Sequence, residues 1–104
     1  MNLRIDIPRD RIAVFCAKWD VAELALFGSV LREDFRPESD IDLLVRFSPG
    51  TEYGLLRLSR MREELEALFG RMVDLVAESA VQRSENRIKR RQILATKVVI
   101  YAAG

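Results

Sequence analysis

Apolar positions are spaced in two different rhythms along this chain, and the rhythms predict its elements. Ile12, Phe15, Cys16 and Trp19 recur at i, i+3, i+4 and i+7, just after Pro8 and Asp10. That stripe predicts an amphipathic helix over residues 9–18. Leu55, Leu58, Met61, Leu65 and Leu68 keep helical spacing as well, and Gly70 follows where a helix stop belongs. Between these lie short apolar runs: 21–27, bounded by Asp20 and Gly28, and 41–47, closed by the turn residues Ser48-Pro49-Gly50. A third run covers 72–77, and all three read as strands. Ser29 to Glu33 predicts a short helix capped by Ser29, followed by a loop containing Pro37. Residues 84–94 read as helical, and the β-branched run Val98 to Tyr101 as a last strand or an extended tail. The order is that of an α/β (α+β) fold, a small sheet flanked by helices.

Composition narrows the chemistry. The 104 residues suit a single domain spanning 1–104, with a near-even charge balance of +1. No apolar run reaches the ~20 residues needed to cross a bilayer, and the first ten residues lack a signal-peptide hydrophobic region. A cytoplasmic protein without membrane contact is expected. There is no histidine and one cysteine, Cys16. Ser-His-Asp triads, Cys-His dyads, imidazole metal ligands and cysteine zinc sites are therefore excluded. Catalysis would have to run on carboxylates, hydroxyls, lysines, arginines or bound metal. Cys16 shares the apolar stripe with Phe15 and Trp19, so all three read as core. Charge is unevenly placed: Arg83, Arg87, Lys89, Arg90, Arg91 and Lys97 face a single acid, Glu85, within residues 83–97. This segment is either a solvated helix face or a basic surface for a phosphate-bearing ligand or acidic partner.

The carboxylates break the pattern. Asp40 and Asp42 stand before and inside the aliphatic run Ile41-Leu43-Leu44-Val45, and Asp74 interrupts Val73, Leu75 and Val76. Aspartate is depleted in strands, and an unpaired buried carboxylate tends to take up a proton. Singly, each has an ordinary explanation: a capped turn, a wet sheet edge, an arginine partner. Alternation places Asp40 and Asp42 on one strand face. Carboxylates gathered this way repel one another unless cations lie between them, and all-oxygen donors suit Mg²⁺ or Mn²⁺. Two such ions can clamp the attacking and leaving oxygens of a phosphoryl or nucleotidyl transfer. Directly after the first strand, Gly28 permits close approach of a ligand to the backbone. Ser29 offers a hydroxyl and an N–H at a helix start, where phosphate is favoured, and Arg32 lies about one turn further on.

Gly28-Ser29, ten residues, Asp40-x-Asp42 and a distant strand aspartate, Asp74, together resemble the DNA polymerase β-like nucleotidyltransferase superfamily. The stretch FGSVLREDFRPESDIDLLVRF is similar to the minimal nucleotidyltransferase (MNT) domain proteins of bacteria and archaea. The resemblance spans nearly the whole chain and implies a polymerase β palm-like fold with a mixed sheet. It also implies that Gly28 and Ser29, with Arg32 and Ser39, bind the nucleotide. Asp40 and Asp42 would hold two Mg²⁺ ions, with Mn²⁺ as a substitute, and Asp74 would hold the catalytic one and help deprotonate the acceptor. One departure is visible: many relatives carry glycine after the arginine, and this chain has Glu33.

MNT proteins typically pair with HEPN-domain RNase toxins. The resemblance therefore implies an antitoxin in a hetero-oligomer, moving AMP from ATP to a toxin tyrosine. A non-catalytic antitoxin that only masks its toxin is the alternative. A small-molecule nucleotidyltransferase ranks below both, because those relatives carry a sizeable extra domain. Direct nucleic-acid binding ranks lowest, since the basic segment has little aromatic interleaving beyond Tyr101.

Overall fold

The computed structural model describes residues 7–28 and 40–103. Its elements, in order, are α1 (Arg9–Lys18), β1 (Val21–Phe27), β2 (Ile41–Phe47), α2 (Leu55–Phe69), β3 (Val73–Ala77), α3 (Glu78–Gln82), α4 (Arg87–Thr96) and β4 (Val98–Ala102). The strands form one sheet in the order β3-β2-β1-β4. β1 runs antiparallel to both β2 and β4, while β2 and β3 are parallel. The expected mixed sheet flanked by helices is what the chain adopts. Parallel neighbours need a crossover, and α2 supplies it.

α1 and α2 cover one face. Ile12, Phe15 and Cys16 from α1 and Met61 and Leu65 from α2 pack on Leu24, Leu26, Ile41, Leu43 and Val45. Period-2 alternation sends Ala25, Phe27 and Leu44 to the other face, where they meet Val81 of α3 and, from α4, Ile93 and Leu94. The central strands are therefore hydrophobic at successive positions, apart from Glu23, Asp42 and Arg46, because both faces are covered. Cys16 is fully buried, and desolvation pushes its thiol up to about 12, so it packs as an inert small hydrophobe.

Trp19 lies against this first cluster, and its indole N–H donates to Glu64 Oε2 at 2.8 Å. Lys18 Nζ donates to the same carboxylate at 3.1 Å. Burial alone would push the Glu64 carboxyl up; the bonds from Trp19 and Lys18 outweigh it and hold the group below its usual range. Trp19 is thus a core residue with a satisfied polar end. α2 ends at Gly70, whose φ of 69° is the left-handed C-cap that glycine favours.

Two boundaries differ from expectation. The helix predicted over 84–94 is α4, which starts and ends two to three residues later, and a separate short helix, α3, precedes it. Asn86 sets the start of α4 by accepting a hydrogen bond from Lys89 N at 3.0 Å. α3 was not foreseen: five residues are too few to show a period. The predicted strand at 72–77 begins at Val73, leaving Met72 exposed.

Candidate active site

Local hydrogen bonding brings the strand aspartates together. Ile41 N donates to Met72 O at 2.9 Å, and Val73 N donates to Glu66 Oε2 at 2.9 Å. These bonds fix where β3 starts against β2 and the last turns of α2. The resulting parallel register sets Asp42 opposite Asp74. Adjacent strands lie ~4.8 Å apart, so two carboxylates over thirty residues apart in sequence become neighbours on the α3–α4 face. Asp42 is half-buried, while Asp40 and Asp74 are exposed. Asp40 directly precedes β2.

Gly28 completes the described part. It follows Phe27, the register partner of Asp42, and has φ of 70°, a left-handed conformation. A Cβ here would overlap Asp42 Oδ2. The glycine therefore serves two needs: the turn out of β1, and room for the carboxylate beside it. Ser29, Arg32 and Ser39, the remaining predicted nucleotide contacts, and Glu33 lie outside the described residues.

Among the described residues, no three acidic, histidine or cysteine side chains converge as a ready metal cage. The donor chemistry nevertheless fits Mg²⁺. That ion is usually bound through one or two carboxylates plus waters and substrate phosphates, not by a dedicated protein cage. Asp42 and Asp74 offer hard oxygen donors at one register level, with Asp40 two residues before Asp42.

Cationic groups approach from α4. A cleft of about 270 Å³ is bounded by Asp74 and Phe27 on the sheet and by Ser84, Lys89 and Arg90 on the helix side. Sequence reasoning counted Lys89 and Arg90 as charge but could not place them, and Ser84 carried no signal. Their position depends on how α4 docks, which helical periodicity does not encode. Lys97, counted with the basic segment, has a structural role. Its ammonium lies 2.6 Å from Glu23 Oε2 and 3.6 Å from Glu78 Oε1. Arg46 reaches the same two acids at 3.7 and 3.5 Å.

The chain matches the nucleotidyltransferase domain family over residues 11–99. It is 38% identical over 65 residues to the protein adenylyltransferase MntA of Thermococcus cleftensis, covering 62% of this chain and 64% of that protein. It is 35% identical over 77 residues to a Methanocaldococcus jannaschii protein named as a candidate protein adenylyltransferase, covering 74% and 76% of the two chains. The solved structure of a candidate minimal nucleotidyltransferase is 36% identical, with a TM-score of 0.66 over 86% of each chain. A toxin–antitoxin structure with AMP-PNP shares the fold at 18% identity, with a TM-score of 0.70 over 93% of this chain and 75% of that one. With this sheet, this pairing of aspartates and these likenesses, the chain belongs to the nucleotidyltransferase family, as one of its minimal, MNT-type members.

Proposed function

We propose that this nucleotidyltransferase is a Mg²⁺-dependent protein adenylyltransferase acting as an antitoxin. It moves AMP from ATP to a tyrosine hydroxyl of a HEPN-domain RNase toxin. The observation that carries the reading is the register of Asp42 against Asp74 beside the left-handed Gly28. It is the arrangement a nucleotidyl transfer needs, in a chain whose relatives include the adenylyltransferase MntA. A toxin–antitoxin complex containing a tri-AMPylated HEPN toxin shares the fold, with a TM-score of 0.60 at 18% identity.

Each group has a task in this reaction. Gly28 and Ser29, with Arg32 and Ser39, bind the β- and γ-phosphates and so fix the triphosphate at the end of β1. Asp40, Asp42 and Asp74 would hold Mg²⁺, which supplies neutralisation for the charge that builds on the phosphates during transfer. Asp74 takes the phenolic proton. The tyrosine oxygen forms a bond to the α-phosphorus, the bond to the bridging oxygen breaks, and pyrophosphate leaves with that electron pair.

The test is incubation with labelled ATP, Mg²⁺ and purified HEPN-domain toxin. Wild type should label the toxin, and replacing the acceptor tyrosine with phenylalanine should remove the label. Asp42→Asn or Asp74→Asn should slow transfer by roughly 100-fold or more, the scale of losing one electrostatic element of a transition-state site. No label from wild type, or undiminished label from Asp40→Ala with Asp42→Ala, overturns the proposal. If that double variant neutralises the toxin as well as wild type does, masking alone accounts for the antitoxin.

A further inference from the structure

The basic segment at 83–97 is only partly accounted for by the site and the core. Lys97 is paired with Glu23 and Glu78, and Arg90 Nη1 donates to Gln82 O at 3.0 Å, tying α4 to the end of α3. Arg87, Lys89 and Arg91 are exposed, and none pairs with an acid among the described residues. These cations flank an outward stripe. Ile88, Gln92 and Ala95 recur at i, i+4 and i+7, so they share one face of α4, and all three are exposed. Ile93 and Leu94 take the opposite side onto Ala25, Phe27 and Leu44. At 3.6 residues per turn, Lys89 falls on one flank of the stripe and Arg87 and Arg91 on the other; the Lys89 flank borders the cleft that holds Asp74. Ile88 is 83% exposed. A lone exposed isoleucine is ordinary. One set between unneutralised cations has the make-up of an interface centre, an apolar anchor ringed by polar groups, with arginine enriched.

We propose that the outer face of α4 docks the acceptor protein, through an acidic surface of that protein beside its acceptor tyrosine. The inference rests on the reading of the acceptor as a HEPN-domain toxin; it adds where that protein sits and the charge it carries there. Position supports it first. Lys89 and Arg90 bound the same cleft as Asp74, so a protein seated across α4 overhangs the carboxylate assigned to the phenolic proton. Charge supports it next, since cations without neighbouring acids attract an acidic surface and repel a basic one. Nucleic acid is the competing occupant of any basic face. It is held through its phosphates, with aromatic side chains stacking on the bases. α4 contains no aromatic residue, and the centre of its outer face is Ile88 and Ala95. Other exposed apolar side chains lie away from the aspartates. Leu55 and Leu56 open α2, which follows the end of β2 remote from Asp42, and Val14 is on α1, across the sheet.

The test measures docking and transfer separately. Calorimetry gives the affinity of the full chain for the purified HEPN-domain toxin, and labelled ATP with Mg²⁺ gives the rate of transfer. Two variants alter only exposed positions: Ile88→Asp, and Arg87→Glu combined with Arg91→Glu. Each should weaken toxin binding by about tenfold or more, the scale of one interface anchor or close charge pair. Each should raise KM for the toxin to match, while kcat at saturating toxin and the affinity for ATP stay within about twofold of wild type. Raising salt from about 50 to 300 mM should weaken toxin binding by wild type about tenfold and by the double arginine variant hardly at all. Toxin affinity and KM unchanged in both variants overturn the docking face and leave the transfer reading intact. Toxin that binds through α4 but is never labelled by wild type overturns the transfer reading and leaves the docking face. Wild type that neither binds nor labels the toxin removes both. If a tRNA mixture binds wild type and is lost by both variants, with toxin affinity unchanged, the face belongs to nucleic acid and the proposal falls.

Discussion

Gly28 and Asp42 compete for the same small volume, and the competition is resolved only because one of them has no side chain. An alanine at 28 meets two separate penalties. The left-handed φ of 70° costs an L-residue about 1–2 kcal/mol. Its methyl would also overlap Asp42 Oδ2, the outer end of a short side chain that can rotate aside. The fold can accommodate that rotation; a carboxylate with the metal-holding role proposed for Asp42 cannot, since misplacement by about 1 Å can cost 100-fold in rate. Gly28→Ala should therefore still melt cooperatively, roughly 5–15 °C below wild type, yet lose roughly 100-fold in AMP transfer. Parallel thermal melts and labelling assays check this, and a variant with normal activity would show that Asp42 need not stay where it is. At this scale the sequence was informative because aspartate is a poor strand residue: Asp42 and Asp74 stood out by their setting. What it could not show was the steric relation to Gly28, which exists only once β1 and β2 pair as Phe27 against Asp42.

Elements were legible where length and period were sufficient. α1, α2 and the first two strands follow the apolar spacing closely, whereas α3 has only Val81 as an inward hydrophobe and no period to detect. What holds α3 is charge. Glu78, its first residue, is only 8% exposed and shares Arg46 and Lys97 with Glu23. This four-charge group binds α3 and the α4–β4 junction to β1 and β2, at the far end of the face that carries Asp42. Lys97 is the closer cation, and without it two largely buried carboxylates face each other across one remaining arginine. Lys97→Met should lower unfolding free energy by about 2–3 kcal/mol, below the full cost of breaking a deeply buried pair because some solvent access remains. Adding Glu23→Gln should recover part of that loss by removing the repulsion. Urea unfolding of the single and double variants measures both. Strictly additive losses would mean the four groups act separately.

Over the whole molecule, the strand order was the least legible feature, because it is set by contacts between distant parts of the chain. Residues 98–101 read equally well as strand or tail. Their pairing with β1 depends on a register that no local pattern specifies, such as Ala25 against Val99. That pairing places β1 in the interior of the sheet. Leu24, Ala25 and Leu26 are wholly buried, Ile100 of β4 joins the α1–α2 side of the core, and Ala103 N donates to Ala22 O at 2.7 Å. Without β4, the most deeply buried of the described strands becomes a sheet edge with a row of unpaired N–H and C=O groups. Such an edge templates association with other chains, and the missing Ile100 adds an exposed section of core. A chain ending at Lys97 keeps the charged group, Gly28 and all three aspartates, so any change reports on β4 itself. It should elute in size-exclusion chromatography as higher-order species and lose the cooperative melt of the full chain. A truncated chain that stays monomeric and melts cooperatively would show that β1 is stable as an edge. In that case β2 and the helices alone would hold Asp42 and Asp74 in register.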